Sequence, residues 1–221
     1  MSMMCWLLRL SPAQIGALRS TPALATDLAE VAEDAQMHAK RALIMSQIKL
    51  TPEQRAGLEA QFRATDEAPR AKEAQARIAA AGVRLESFGP LESVLELQKS
   101  WHVLNYLFTG HVDEAAAPGN ELLTGEPLGR AVGYGPARLQ DEKATQSFAR
   151  FLGTQDAARL AARVDYREMS AACVYSIPSG QLFEADFESE LRAEVSTYFP
   201  LLREYVSQAA ERRQGLLIWL S

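Results

Sequence analysis

Large apolar side chains are concentrated in two short runs near the two ends of the chain, with helical patterns between them. One run covers residues 3–10 and the other covers residues 216–220. Short apolar runs bounded by turn residues are typical of buried strands. Because a buried strand without a partner would leave its amide groups unsatisfied, we predict that the two terminal strands share one small sheet.

Three pairs that contain proline mark helix starts, since proline suits the first helical position, where a backbone N–H has no partner. They lie at residues 11–12, 21–22 and 51–52. The spacing of apolar residues predicts that the first helix ends near Arg19 and the second near Ile48. The third start opens residues 51–81, which have high helix propensity, a break at Pro69 and few large apolar side chains. We therefore predict that this segment is an interaction surface and not core.

The strongest helical periodicity runs over residues 91–109. Its apolar stripe steps by three and four residues along Val94, Leu97, Trp101, Leu104 and Phe108. We therefore predict one helix that turns this stripe, including Trp101, towards the core and ends at Gly110. A last helix is predicted to begin near Glu184 and to be interrupted at Pro200, either by a kink or by division into two abutting helices.

Glycine and proline are frequent in residues 111–139, which we predict to be mostly loop. The carboxylates of Glu121 and Glu126 are expected to be solvated, and residues 111–126 are expected to be interaction surface. Shorter elements follow, with helices predicted over residues 141–152 and 154–163, a turn or helix over residues 165–171, and a short strand or extended piece over residues 174–177. Terminal strands around a helical middle favour an α+β fold, with a small sheet covered by several helices.

Length and charge narrow the class of protein. The 221 residues fit one domain or one domain with a large insertion. The net charge of −5 makes nucleic acid an unsuitable partner. The two cysteines, Cys5 and Cys173, are predicted to be reduced, and no stretch approaches the roughly 20 apolar residues of a membrane span. We therefore predict a cytoplasmic protein that does not bind a membrane.

Motifs for metal, phosphate and nucleophilic chemistry are absent from the sequence. There are three histidines, no Cys-x-x-Cys and no His-Glu-x-x-His, so no structural zinc is expected and no metal site is predicted, while a site built from carboxylates stays open. Gly133-x-Gly135 lacks the third glycine of a dinucleotide loop, and no Gly-x-Ser-x-Gly occurs, so no cofactor is expected. The sequence leaves open whether the protein is an enzyme, but the lack of a catalytic set favours a protein that is not.

A candidate site combines the turn at residues 133–138 with the polar side of the 91–109 helix. The Gly-x-Gly-Pro run reverses the chain and holds a tyrosine and an arginine, which suit binding through a ring face and a planar cation. The same side chains could instead be structural, with His102 bonded to local backbone and Arg138 paired with a carboxylate of the following helix. The candidate ligand- or partner-binding residues are Lys99, Trp101, His102, Tyr106, Tyr134 and Arg138.

Three segments carry a more specific pattern. They are the opening Met-Ser-Met-Met-x-x-Leu-Leu-Arg-Leu-Ser, residues 95–110 with Lys-Ser-Trp-His, and residues 127–138 with Gly-Tyr-Gly-Pro. Together they resemble the YfbM-like family, a bacterial family of unknown function. The resemblance implies an α+β fold and a cytoplasmic location, and it implies no known reaction.

Two departures from that family pattern change the interpretation. Residues 30–88 look longer than the family's usual connection, so we interpret residues 1–221 as a single YfbM-like domain with a helical insertion at about 30–88. Gln98 stands where family members often have aspartate, and Val174-Tyr175-Ser176 replaces Ile-Tyr-Pro. Any acidic role that the family shares at the first position is therefore in doubt here.

Two functional hypotheses follow from these observations. In the first, the protein is a non-enzymatic binding domain that docks another protein, for example an immunity-type inhibitor of a bacterial toxin, and its acidic charge suits a basic partner. In the second, it is a small enzyme or ligand-binding domain that uses a pocket lined by Lys99, His102, Tyr134 and Arg138.

Overall fold

Strands lie near both ends of the chain, and helices fill most of its middle. The computed structural model describes residues 3–48, 51–65, 69–113, 115–116, 118–175, 177–178 and 184–221. In chain order, the elements are β1 (Cys5–Leu10), α1 (Pro12–Ser20), α2 (Ala23–Gln47), α3 (Pro52–Thr65), α4 (Pro69–Ala80), β2 (Leu95–Gln98), α5 (Ser100–Thr109), β3 (Glu126–Ala131), β4 (Pro136–Gln140), α6 (Glu142–Gly153), α7 (Ala157–Ala162), α8 (Tyr166–Ala171), α9 (Glu184–Glu211) and β5 (Gly215–Leu220). Within the described residues, every helix is too short or too polar to span a bilayer.

The strands form one antiparallel, five-stranded sheet in the order β2-β1-β5-β4-β3. The two terminal strands are neighbours, with Cys5 opposite Leu220 and Leu10 opposite Gly215. The predicted α+β fold, with both terminal strands in one sheet, is therefore confirmed.

Helices cover both faces of the sheet, and this explains why β1 and β5 are apolar at nearly every position. Cys5 and Leu7 belong to one core cluster, together with side chains of α5, α6 and α9. Trp6 and Leu8 belong to a second cluster, together with side chains of α1, α2 and α4. Successive side chains of a strand point to opposite faces, so a strand covered on both faces has no polar alternation.

The prediction of one helix over residues 91–109 is wrong in its first half. Leu95–Gln98 is the edge strand β2, and the helix α5 begins only at Ser100. Gln98 has a φ of +49°, which ends the strand, and it pairs with Cys5 at an irregularity in the β1–β2 register. Leu97 is buried in either conformation, so its place in the apolar stripe did not distinguish strand from helix.

The prediction of loop over residues 111–139 is wrong for the hairpin formed by β3 and β4. Its turn contains the Gly-x-Gly-Pro run, and Gly133 has a φ of +67°. A Cβ atom on Gly133 would lie 2.7 Å from Ser221 Cα, so the turn needs glycine for close approach as well as for its backbone angle. The Tyr134 N–H donates to the Leu220 carbonyl oxygen at 3.0 Å and holds the turn against the end of β5.

The prediction of an interaction surface is wrong for α4 and for part of the segment before β3. Ala74 and Ile78 of α4 are buried in the cluster that includes α2, and Arg77 Nε donates to Asp27 Oδ1 at 2.8 Å. Leu122 is also fully buried. In contrast, α3 exposes most of its described side chains. Small residues let α4 approach α2 closely, so this helix joins the core with few large apolar side chains.

Three smaller predictions also need correction. The division into two helices at Pro200 is wrong, since α9 continues through the proline as a single element with Phe199 and Leu202 buried on either side of it. The helix expected from Thr154 begins at Ala157, with the Asp156 side chain accepting from the Arg159 N–H at 2.9 Å. The described residues of the segment 174–177 form no strand.

Candidate binding surfaces

His102 has a structural role that uses both ring nitrogens. Its Nδ1 accepts from the Tyr175 N–H at 2.7 Å, so the proton of the neutral ring lies on Nε2. Nε2–H then donates to the Val112 carbonyl oxygen at 2.8 Å. The ring also stacks on Trp101, with 4.7 Å between centroids, and burial lowers the pKa of His102. The neutral imidazole thus ties α5 to two separate loops.

Trp101 and Tyr106 are also held inside the protein. Trp101 is buried in the core, as predicted, and its Nε1–H donates to the Met3 carbonyl oxygen at 3.3 Å. The Tyr106 hydroxyl donates to Glu168 Oε1 at 2.7 Å, and this hydrogen bond raises the pKa of Tyr106 to about 12. Both side chains therefore anchor α5 to its neighbours.

The other three candidate residues lie on different strands or turns. Lys99 is exposed between β2 and α5, and Tyr134 is exposed on the hairpin turn, with β1 and β5 between them in the sheet. Arg138 is half-buried on β4. Burial raises the pKa of the Cys5 thiol, and the positive charge of Arg138 partly opposes that shift. None of the six candidate residues lines either of the two cavities described next.

A cleft of about 200 Å³, here called the α2 cleft, lies between α2 and the edge of the sheet. Trp219 Nε1–H donates to Glu33 Oε1 at 2.6 Å, and Trp219 stacks in parallel on Trp6. Burial raises the pKa of Glu33. Lys40 of α2 forms an ion pair with Glu96 of β2. The cleft is lined by Met4, Trp6, Glu33, Met37, Lys40 and Glu96.

The apolar wall of the α2 cleft continues along α2 as an exposed ridge of Met37, Ile44 and Ile48. With Glu33 and Lys40 these positions are spaced by four, three, four and four residues, so the four within α2 lie on one side of the helix, and Ile48 follows directly as the C-cap. Met37, Ile44 and Ile48 are 40%, 45% and 44% exposed. The sequence contains this signal, because apolar residues occur on opposite sides of the distal part of α2 and the buried stripe accounts for only one of them.

The neighbouring helix α3 does not cover this ridge. It contacts α2 through the guanidinium of Arg41, which lies 5.0 Å from the centroid of the Phe62 ring. Met45, on the same side as Arg41, is buried, whereas Ile44 and Ile48 are exposed. The ridge therefore keeps at least 40% of each of its side chains exposed to water.

A second cavity of about 450 Å³, here called the Glu121 cavity, lies between the segment before β3, the end of β4 and the start of α6. Glu121 is buried, contrary to the expectation that it is solvated, and its Oε2 accepts from the Gly119 N–H at 2.6 Å. Burial raises the pKa of Glu121. Glu126 is exposed at the rim and pairs with Arg19 at 2.8 Å. In the described part of the chain, no cluster of His, Cys, Asp or Glu is arranged to hold a metal ion.

Comparison with known proteins identifies a family but no activity. A family model described as a domain of unknown function, DUF1877, matches residues 1–219. The chain is also similar to the crystal structure of a protein of unknown function, YfbM from Escherichia coli, with a TM-score of 0.54, 12% identity and 99% of each chain covered. At that identity the similarity concerns the fold alone. No curated protein matches the sequence. The resemblance to the YfbM-like family is confirmed, and the helical insertion at about residues 30–88 stays a prediction.

Proposed function

Since the chain belongs to the DUF1877 family, which has no assigned activity, we propose a function from its surface: it is a non-enzymatic binding protein that docks a protein partner on α2. The single observation behind this proposal is where the exposed apolar side chains lie. Among the described residues, four of the six large apolar side chains that are exposed lie in the distal part of α2 or directly after it, namely Met37, Leu43, Ile44 and the C-cap residue Ile48. Contiguous apolar surface of this kind marks protein interaction sites.

The α2 cleft supplies a place for an anchoring side chain. Met37 belongs both to the cleft and to the ridge, so the two form one continuous surface. Binding energy at protein interfaces is concentrated in side chains that fill such pockets, with flatter apolar contacts around them. An aromatic or leucine side chain of the partner would contact Met4, Trp6 and Met37.

The shape of the ridge favours an amphipathic helix as the partner element. Ile48 lies eleven positions after Met37, which corresponds to about 16 Å, or roughly three helical turns. A helix of the partner could lay its apolar face along this length, as in helix-in-groove recognition. The chain's charge of −5 suits a partner with basic residues flanking that apolar face.

An immunity-type inhibitor of a bacterial toxin, acting in the cytoplasm, is one concrete form of this function. An inhibitor of this kind needs a partner surface but no catalytic groups, and its acidic charge would speed association with a basic toxin. The alternative, a pocket built from Lys99, His102, Tyr134 and Arg138, has less support, because both nitrogens of His102 are already bonded within the protein.

Site-specific photo-crosslinking in native cells tests the proposal. A crosslinking residue at Ile48 should capture a specific protein, whereas the same residue at Leu201, which is 45% exposed on α9, should not. The captured partner is then purified, and its dissociation constant is measured with Ile44→Glu and with Leu201→Glu. We expect at least a tenfold loss for Ile44→Glu and less than a twofold change for the control. Equal affinity of the two variants would contradict the proposal.

A further inference from the structure

The Glu121 cavity has features of a ligand site that are independent of the docking surface on α2. Gln140, in the cavity wall, lies opposite Leu216 near one end of β5, whereas Trp6, in the α2 cleft, lies opposite Trp219 near the other end. The two sites are therefore at different ends of the sheet. The walls of the cavity include Arg19, Glu121, Glu126, Gln140, Asp141 and Lys143.

Gln140 contributes a buried acceptor that has no donor. Its side chain is on a residue only 2% exposed, and its Nε2 donates to the carbonyl oxygens of Glu121 at 2.5 Å and Thr124 at 3.4 Å. Both of those partners can only accept, so they fix which end of the amide is the nitrogen. The Oε1 atom is consequently left as the free end, and no described group donates to it. A buried acceptor without a donor is unfavourable, and a ligand that donates to it would remove that penalty.

The charges around the cavity also favour a cation. Three carboxylates, those of Glu121, Glu126 and Asp141, face two cationic side chains in its lining. Arg19 pairs with Glu126, and Asp141 accepts from the Ala144 N–H at 3.0 Å as the cap of α6. Glu121 is held by the Gly119 N–H and by its own, and within the described part of the chain no cationic side chain contacts it. A buried carboxylate balanced only by amides is best compensated by a positive ligand.

We propose that the Glu121 cavity binds a small organic cation, whose ammonium or guanidinium group donates to Gln140 Oε1 and pairs with the Glu121 carboxylate. Either group supplies several N–H donors and a positive charge, and these are the two things the buried wall lacks. A volume of about 450 Å³ is within the range of small-molecule sites. No bond is made or broken in this proposal, and its ligand binds whether or not a protein occupies α2.

Titration of the purified full chain with n-butylammonium and n-butylguanidinium tests the inference, with 1-butanol as the neutral control. We expect the two cations to shift the backbone amide signals of Gly119 and Gly125, and 1-butanol to leave them unchanged. Glu121→Gln keeps an acceptor for the Gly119 N–H but removes the charge, so it should weaken the cation at least tenfold. The matched control is Glu142→Gln, which removes a carboxylate just outside the lining and should change the affinity less than twofold.

Two results would overturn the proposal. One is binding of 1-butanol as tight as that of the cations, and the other is an equal loss of affinity in the Glu121 and Glu142 variants. Gln140→Leu provides a second test, because it removes the orphaned acceptor without changing charge, and it should also weaken both cations. If either cavity variant fails to fold, the comparison of charged and neutral ligands on the unaltered chain still decides the question. Ile44→Glu should leave cation binding unchanged, which separates this inference from the proposed docking function.

Discussion

The two halves of α2 differ sharply in what covers them. In the proximal half, residues 23–36, Leu28 is buried in the core, and Thr26 Oγ1 both donates to the Arg130 carbonyl oxygen at 2.9 Å and accepts from the Arg130 N–H at 3.0 Å. In the distal half, residues 37–48, only Met45 is classed as buried. The first turns of this continuous helix are thus buried in the core, whereas its last turns expose apolar side chains to solvent.

This difference means that stability and partner binding can be changed separately on the same helix. Apolar side chains of the proximal half are already removed from water by the fold, so altering them costs folding free energy. Those of the distal half are still in water and would gain burial only on association. Substitutions that compare the two halves therefore test whether the distal surface serves binding.

The largest contrast is expected for truncation of one apolar side chain in each half. Leu28→Ala should lower the free energy of unfolding by about 2–5 kcal/mol, because it leaves a cavity in the core. Ile44→Ala should change it by less than about 0.5 kcal/mol, because its side chain is already half in water. Urea denaturation followed by circular dichroism measures both. Similar losses for the two variants would show that the distal half is also covered.

A smaller contrast is expected for the carboxylates. Asp27, in the proximal half, is buried and accepts from Arg77 of α4, with Arg130 of β3 at 3.5 Å. Asp27→Asn weakens charged hydrogen bonds that join three elements and should cost about 1–2 kcal/mol. Asp34→Asn, nearer the distal half, affects only the contact with His38 at 3.5 Å and should cost about 0.5 kcal/mol or less. Thermal unfolding of the two variants under identical conditions provides the comparison.

The smallest effect is a pH dependence that arises from the core histidine His102. Burial lowers the pKa of His102 below its ordinary value of 6.5, so the unfolded chain binds this proton more readily than the folded chain. The contribution of neutral His102 to the free energy of unfolding is therefore fully present above pH 6.5. It is lost as the pH falls below that value, by at most about 1.4 kcal/mol per pH unit. The buried carboxyls act with the opposite sign, since burial raises the pKa of Glu33 and Glu121 and stability falls as the pH rises above 4.5.

Comparing histidine variants isolates the His102 contribution from that of the carboxyls. The pH profile of unfolding free energy in His102→Gln should be flatter than that of the unaltered chain between pH 6.5 and 5. His38→Gln, on an exposed part of α2, provides the matched histidine substitution with which the His102 variant is compared. A slope that persists in the His102 variant would assign the pH dependence to another group.

The terminal strands and most helices could be predicted because their signals are local. A continuous apolar run such as residues 216–220 identifies a strand buried on both faces without any knowledge of its partner. Likewise, Asp141 precedes its helix as a cap, and its side chain accepts from the Ala144 N–H at 3.0 Å. Such signals depend only on neighbouring residues.

The other strands could not be predicted, because their patterns depend on distant partners. In β3 only Leu128 is buried, so this edge strand lacks the alternation that identifies a half-buried strand. The strand β2 has only four residues and lies directly before α5. Its apolar positions fit the period of a helix as well as that of a strand. Pairing with β1 decides the conformation, and that pairing joins residues about ninety positions apart.

The candidate sites also depend on partners that are distant in sequence, which sequence patterns do not reveal. His102 was identified as notable from its residue type, but its role depends on Tyr175, which is 73 residues away in sequence. Glu121 was expected to be solvated, and its burial depends on the preceding segment folding against Gln140 of β4. The ridge of Met37, Ile44 and Ile48, in contrast, was visible in the sequence, because its spacing is local.

The central position of β5 has a consequence for how the chain folds. β5 is the last strand in sequence, and it alone joins the β2–β1 pair to the β4–β3 pair. A two-stranded pair on its own is only marginally stable in water. During synthesis, each of the two pairs therefore has an unpaired strand edge until β5 has been made. Because β1 must then pair with residues some two hundred positions later, closure of the sheet has a high contact order and should be slow. A nascent or truncated chain that lacks β5 thus carries two unprotected strand edges, the condition under which chains self-associate.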